Sequence, residues 1–439
     1  MQPLPNPARP ARRPQARAGG AQAPDLLGRY REIRSLTTHL SSPLGPEDCL
    51  LQSMPEASPT KWHLAHTSWF FETFVLCAFS PNYQPFHPHF NYLFNSYYNA
   101  VGQRHPRPHR GQISRPSVAE VYDYRAHVDE QMEQLLQDNP SDDVSSRVLL
   151  GLHHEQQHQE LLLTDIKHAF ASNPLQPAYR ERASATLAEP RTASTCRWLS
   201  FPGGLQEIGA AGAGFAYDNE CPRHQTFLTP FCLGTQLVTN REFLAFLEDG
   251  GYQRVDLWLS DGWSTREQEN WQAPLYWDKR EGQWWQFTLW GRVPLVADEP
   301  VCHVSYYEAD ACARWMGARL PTEAEWEVVA RDYPIEGNLL DTDRLHPAPG
   351  SATVEGEQNV RQLYGDVWEW TASPYTAYPG YCPPPGALGE YNGKFMVNQM
   401  VLRGGSCATP RSHLRPTYRN FFPPPARWQF SGFRVARDV

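Results

Sequence analysis

Apolar residues recur at spacings of three and four from Asp25 to about Phe170, whereas beyond Arg197 they gather in short runs separated by Gly, Pro, Asp and Asn. The first pattern is that of amphipathic helices and the second that of short strands and loops. Pro24-Asp25 precedes Leu26, Tyr30, Ile33, Leu36 and Leu40, which predicts a first helix. Ser58-Pro59 reads as an N-cap with proline at the first helical position, opening a second helix through Trp62, His66, Trp69, Phe70 and Thr73. Ser117 opens a third, with Val118, Val121, Val128, Met132, Leu135 and Leu136 on one side, and a fourth runs from Val144 to Phe170. Four such helices predict an up-and-down bundle that can point ligands into its core. Between the second and third lies a loop of roughly 35 residues, Pro81 to Pro116, a length uncommon in compact domains and often functional.

Residues 171–195 hold few apolar side chains and read as a linker. The second half predicts an irregular α+β domain rich in loop, its clearest helix running from Tyr306 to Met316. The expected division is a disordered tail at 1–24, a helical bundle at 25–185 and a second domain at 186–439. The tail carries Arg9, Arg12, Arg13 and Arg17, no acid, and many Pro, Ala and Gly. It lacks the apolar segment of a secretory signal, and its prolines oppose an amphipathic targeting helix.

Composition narrows the function classes. A net charge of −9 argues against nucleic-acid binding, which favours a basic surface. No apolar run reaches the roughly 18 to 20 residues of a membrane helix. The nine cysteines contain no C-x-x-C, so neither a zinc ribbon nor a dense disulfide framework is indicated, and a reducing cytoplasm is the expected location. The pattern leaves the oligomeric state open.

The chemistry concentrates in His154-Glu155-Gln156-Gln157-His158-Gln159-Glu160. Positions i and i+4 share a helix face, so His154 and His158 can present two imidazoles to one metal ion. His66, on the second helix, is the candidate third ligand across the bundle core. Neighbouring His63 and His153 leave the choice within each pair open. Three imidazoles suit Fe, Zn, Cu or Ni. Zinc-peptidase chemistry is not expected.

Taken together, the motifs resemble the ergothioneine-pathway sulfoxide synthases, or hercynine oxygenases. In the first half the likeness rests on Ser58-Pro59, Trp62-His63-Leu64-Ala65-His66, Trp69-Phe70-Phe71-Glu72, Tyr97-Tyr98-Asn99 and His154-x3-His158-x-Glu160. In the second half it rests on Arg319 to Glu327, Gly365-Asp366-Val367-Trp368-Glu369-Trp370, Leu402 to Ser406 and Gly432-Phe433-Arg434. The resemblance implies a DinB-like four-helix bundle followed by an α+β domain like that of the formylglycine-generating (sulfatase-modifying) enzymes, of C-type-lectin-like character. It implies a mononuclear non-haem Fe(II) site at His66, His154 and His158. The implied reaction uses O2 to join a thiol sulfur to C2 of the hercynine (Nα-trimethylhistidine) imidazole and leaves a sulfoxide.

The resemblance also suggests residue roles. Tyr97 or Tyr98 would supply a proton or hydrogen atom, steering oxidation toward C–S coupling, although adjacent tyrosines also simply pack and hydrogen-bond. Arg107, then Arg104, from a series that includes Arg110, would bind the thiol substrate's carboxylate. Gln157 would face the imidazole, and Asn420, Phe421 and Phe422 would close the pocket around the betaine. Glu160 is expected to support rather than ligate, and Gly365–Trp370 with Arg403–Ser406 to hold the second domain together. The tyrosine loop resembles the branch that takes free cysteine, with γ-glutamylcysteine as the other thiol. Rival readings are a selenium-transferring relative (a selenoneine synthase), an ovothiol-type synthase, a formylglycine-generating oxidase, and a non-catalytic binding module with a degenerate site. The oxidase needs a cysteine pair near the C-terminus, and no cysteine follows Cys407.

Overall fold

The structure is a computed structural model that describes residues 25–137, 140–181, 196–212, 214–350 and 359–439. The expected tail and the expected domain boundary near 185 lie outside the described residues. The four predicted helices are α1 (Leu26–Ser41), α2 (Thr60–Phe71), α3 (Val118–Gln137) and α4 (Asp142–Ser172). Asp25 caps α1 by accepting the Gly28 N–H at 2.8 Å, and Ser141 caps α4 by accepting from Val144. The start of α2 differs from expectation. Its N-cap is Pro59, while Ser58 lies outside the helix, its hydroxyl accepting from Arg110 and its N–H donating to Asp165. Beyond Phe71 the helix continues through a π turn, Glu72–Leu76, where the Glu72 carboxylate accepts from Tyr83, Tyr124 and the Phe86 N–H.

All twelve residues of α2 are buried, so it shows no single apolar stripe. Its polar side chains are anchored instead: Lys61 Nζ donates to the carbonyls of Ile113 and Pro116 at 2.6 and 2.8 Å, tying the end of the long loop to the helix. Gly151 lets α4 approach closely, because a Cβ there would meet Phe71 Cε1 at 2.5 Å. Four residues on, Glu155 is fully buried and accepts from Arg34 (2.9 Å), Arg125 (3.0 Å) and Thr37 (2.7 Å), joining α1, α3 and α4. The loop between α2 and α3 is not structureless: it carries short helical turns at Phe90–Phe94, Asn99–Val101 and Arg107–Gln112.

The second domain is built of short strands: β1 (Trp198–Phe201), β2 (Gly204–Ile208), β3 (His224–Leu228), β4 (Phe231–Gly234), β5 (Trp277–Arg280), β6 (Gln283–Thr288), β7 (Gly291–Pro294), β8 (Trp368–Pro374), β9 (Met400–Arg403), β10 (Asn420–Phe422), β11 (Ser431–Gly432) and β12 (Ala436–Asp438). They form sheets of order β1-β4-β12, β10-β9-β8-β11, β2-β3 and β5-β6-β7, with only the β8–β11 pairing parallel among the described strands. Helices α5 (Asn240–Glu248), α6 (Tyr306–Trp315) and α7 (Glu323–Ala330) pack around them. Ser305 with Glu308, and Thr322 with Glu325, form capping boxes that start α6 and α7.

The motif residues of this half pair with one another: Arg403 with Glu327, and Arg434 with Glu369 at 2.5 Å. A separate apolar cluster mixes Leu162, Leu163, Ile166 and Phe170 of α4 with Leu237, Phe287, Val367 and Phe430, so the two domains share a core. Trp368 Nε1 crosses that interface to Glu160 at 2.5 Å. Among the described residues no helix is long and apolar enough to cross a membrane.

Candidate metal centre

One ring nitrogen each from His66 on α2 and from His154 and His158 on α4 lies within 4.8 Å of the others. His66 is sandwiched between Trp62 (centroids 4.4 Å, 13°) and Trp69 (5.3 Å, 17°), and its Nδ1–H donates to the Phe94 carbonyl at 2.6 Å. That bond fixes the tautomer and leaves Nε2 as a lone pair, 3.1 Å from His154 Nε2. His158 Nδ1 meets His63 Nδ1 at 2.8 Å, and His63 Nε2 meets the Asp165 carboxylate at 3.0 Å. With His63 Nε2–H donating to Asp165, His63 Nδ1 accepts from His158 Nδ1–H, and His158 Nε2 is left unprotonated.

Desolvation dominates the electrostatics. Burial brings His154 down to about 4 and holds His66 and His158 well below the ordinary imidazole value, with neighbouring histidines adding to the last two. All three are neutral at physiological pH, the state a metal requires. His154 Nδ1 is buried without a partner among the described residues. A bare His66 Nε2, an unprotonated His158 Nε2 and an orphaned His154 ring nitrogen are poorly satisfied by protein alone and fit a cation held by three imidazoles.

The segment His154-Glu155-x-x-His158 does meet the H-E-x-x-H spacing of zinc peptidases, so the motif alone does not support the expectation that set such chemistry aside. The structure supplies the reason. Glu155, which would have to be the general base, is locked to Arg34, Arg125 and Thr37 and does not line the cavity beside the histidines.

That cavity, about 220 Å³, runs from the triad to the second domain. Its wall includes Tyr97, Tyr98, Arg107, Gln157, Asn420, Phe421 and Phe422, so these expected site residues are brought together with His66, His154 and His158. Arg104 is not among them: it is exposed and donates to the Ser96 carbonyl at 2.8 Å. The Tyr97 hydroxyl accepts from Arg107, and its ring packs edge-on against Phe395 and Tyr391. Tyr98 is 5% exposed, lies against Trp69 and Phe74, and burial pushes its phenol far above the ordinary value. Gln157 Nε2 donates to Tyr418 Oη at 2.8 Å. Phe421 stacks on Tyr375 at 4.0 Å, and Phe422 meets Trp428 edge-on. A second cavity of about 410 Å³ adjoins the first at Tyr98, His154, Gln157, Tyr217, Tyr391 and Asn392.

Several wall residues carry more weight than the sequence gives them. Arg110 is 3% exposed, lies 3.4 Å over the Trp62 ring and donates to Ser58 and Ser96, and burial lowers it to about 9. Its place in the Arg104-Arg107-Arg110 series was the available signal. Glu160 lies outside the histidine cluster. It accepts from Trp368 and Thr409 of the second domain, and burial raises its carboxyl to about 7. Tyr217, Asn219 and His413 also line the cavity, and nothing in the local sequence marks them.

The DinB superfamily pattern matches residues 29–162, and that of the sulfatase-modifying factor enzyme 1-like domain matches residues 184–439. The chain is 32% identical over 413 residues to a hercynine oxygenase of Mycolicibacterium smegmatis, covering 88% of this chain and 93% of that protein. It is 33% identical over 407 residues to a hercynine oxygenase of Mycobacterium tuberculosis, covering 88% and 92%. The chain belongs to the hercynine oxygenase family. It is accordingly an oxygen-dependent oxidoreductase, built of a DinB bundle and a sulfatase-modifying-factor-like α+β domain. A formylglycine-generating enzyme of Thermomonospora curvata is 28% identical over 284 residues, covering 55% of this chain and 93% of that protein. Membership as a hercynine oxygenase accounts for both halves at once, whereas that likeness accounts for about one.

Proposed function

We propose that this protein is a non-haem iron(II) sulfoxide synthase that couples C2 of the hercynine imidazole to the sulfur of a small thiol, cysteine in preference to γ-glutamylcysteine. The balance is one C–H, one S–H and one O2 consumed, one C–S bond and one S–O bond formed, and one water released. The observation that carries the reading is three neutral imidazoles at one end of a cavity whose wall also holds Tyr97, Tyr98 and Arg107. His66, His154 and His158 would hold the iron, which when bound supplies the electron-transfer chemistry that O2 and the two substrates need.

The chain's own residues then bind, orient and protonate. Arg107, with its guanidinium toward Tyr97, is the proposed carboxylate fork for the thiol, and Arg110 deepens the positive wall behind it. Tyr98, buried and holding its proton firmly, and Tyr97, polarised by Arg107, are the proposed source of a proton at the reacting sulfur–oxygen centre. Gln157 stands one residue before His158 and, bonded to Tyr418, is oriented along the cavity wall for the substrate imidazole. Phe421, Phe422 and Asn420 offer aromatic faces and an amide to a quaternary ammonium. The substrates are small molecules, and the unpaired state of all nine cysteines is in keeping with a reducing cytoplasm.

The test is anaerobic reconstitution with Fe(II), then hercynine and O2 with cysteine or γ-glutamylcysteine, reading products by mass. Coupling of cysteine to a sulfoxide is expected. Failure to hold about one iron per chain would sink the proposal, and coupling of γ-glutamylcysteine alone would overturn the thiol assignment.

A further inference from the structure

The second cavity, about 410 Å³, reaches the candidate metal centre at His154 alone of the three histidines. One face of α4 forms its floor. Ser146, Leu150, His154 and Gln157 follow at spacings of four, four and three, so they share that face. The floor leads from Ser146, which is exposed, to His154 over two turns, about 12 Å along the helix axis. At the inner end the Phe70 ring lies 4.6 Å from that of His154, and Tyr98 completes the wall.

The rest of the wall is largely apolar and held in place. Leu149 and Leu150 of the bundle share it with Phe215, Pro384 and Leu388 of the second domain. Phe215 stacks on His153 at 4.0 Å and 9°, and Leu388 packs against the bundle core. The wall holds no lysine or arginine among the described residues, and its one carboxylate, Asp218, is taken by Tyr381 at 2.9 Å and by Asn392. The first cavity differs: Arg107, Arg110 and Arg419 stand in its wall with Glu56, Glu160 and Asp165. Charged substrates thus find partners in the first cavity and none in the second.

Apolar cavities stay dry and take up small apolar guests such as xenon or benzene. The small apolar reactant of an oxygenase is O2, and substrates seated in the first cavity would obstruct that approach to the histidines. We infer that the second cavity is an oxygen port, which admits O2 past Ser146 and Leu150 and delivers it beside His154. Separate entry lets the gas reach the site after the charged substrates have closed the first cavity, and it does so along a path that excludes bulk water. This rests on the metal site proposed above.

Two substitutions plug the port at different depths, Leu150→Trp in its middle and Ser146→Trp at its mouth. Leu150 packs against the cores of both domains, so Ser146→Trp, at an exposed position, keeps the test open should the first variant not fold. On the Fe(II)-loaded full chain, initial rates at varied O2 should show the KM for O2 raised about fivefold or more in a folded variant. The maximal rate at saturating O2, the KM for hercynine and for the thiol, and the iron content should stay at wild-type values. Crystals of the wild type pressurised with xenon should hold xenon in the cavity, and those of a variant none. An unchanged KM for O2 in every folded variant, or a wild-type cavity that takes no xenon, would overturn the port. A raised KM for hercynine or the thiol instead would make the cavity a substrate entrance and overturn the oxygen assignment. Wild-type protein that binds no iron would overturn the metal site itself, a failure that the xenon experiment does not share.

Discussion

His158 and His63 face each other Nδ1 to Nδ1 at 2.8 Å, and His63 passes the contact on to Asp165 at 3.0 Å. A carboxylate one ring removed from a candidate ligand thus sets that ligand's tautomer. Asp165 is itself held by the Ser58 N–H at 2.8 Å, which explains why Ser58 sits outside α2 rather than capping it. Such supporting contacts orient the ligand ring and raise its basicity, and their loss typically costs 10- to 100-fold, roughly, in metal affinity. His63→Ala should therefore weaken Fe(II) binding by about that factor while the protein stays folded. A chelator-competition titration, with circular dichroism as the folding control, checks this. Unchanged affinity would mean that His158 needs no partner.

How much of this was legible in the sequence follows from what each pattern encodes. The bundle was, because α1 and α3 bury one face and so print a three-and-four spacing, as does the start of α4 at Val144 and Val148. The His154–His158 pairing was, because i,i+4 histidines share a face whatever the bundle's details, whereas the choice of His66 over His63 needed the fold, which turns His63 to Asp165. Helix α2 was legible only in part. Buried on all sides, it has no stripe, and its entry is set by Arg110 and Asp165 from distant segments. Tyr217 and His413 were not legible at all. They sit on short turns of the second domain, 196 residues apart, and only the tertiary fold brings them together. The exclusion of peptidase chemistry also needed coordinates, since the spacing around Glu155 permits it and only the ion pairs with Arg34 and Arg125 forbid it.

The arginine series separates by position. Arg107 lines the cavity and touches Tyr97, whereas Arg104 points to the Ser96 carbonyl in an exposed segment. Arg107→Ala should raise the KM for the thiol by about tenfold or more, the size of a lost charge-assisted contact. Its effect on the KM for hercynine should be much smaller. Arg104→Ala should leave both within about twofold, as for an exposed charge. Steady-state kinetics with each substrate varied in turn decides between them, and a larger effect at Arg104 would reverse the assignment.

Removing both phenols tests the proton source. In the Tyr97→Phe, Tyr98→Phe double variant, oxidation should shift from the sulfoxide toward the thiol's sulfinic acid, with iron content and hercynine affinity retained. Because burial holds the Tyr98 proton far above neutral pH, the wild-type product ratio should stay flat from about pH 6 to 9, below even the ordinary tyrosine value. Mass analysis of products across that range is the measurement. An undiminished sulfoxide fraction in the double variant would remove both tyrosines from the reaction.

Lys167 gives the domain interface a pH signature. It is 1% exposed, its Nζ donates to His303 Nε2 at 2.7 Å, and it faces the Phe430 and Tyr276 rings at 4.8 and 5.1 Å. Burial lowers it to about 8, against an ordinary value of 10.5. Between these values the unfolded chain binds a proton that the folded chain does not. This group's contribution to stability therefore rises with pH across that window, by about 1.4 kcal/mol per pH unit at most, and is level below it. Lys167→Met keeps the length of the side chain and removes the titration. The difference in unfolding free energy, wild type minus variant, should be constant below pH 8 and climb from there toward pH 10. Urea unfolding of both proteins at a series of pH values measures it. Parallel curves throughout would show that Lys167 keeps its charge at the interface and that its burial does not govern its titration.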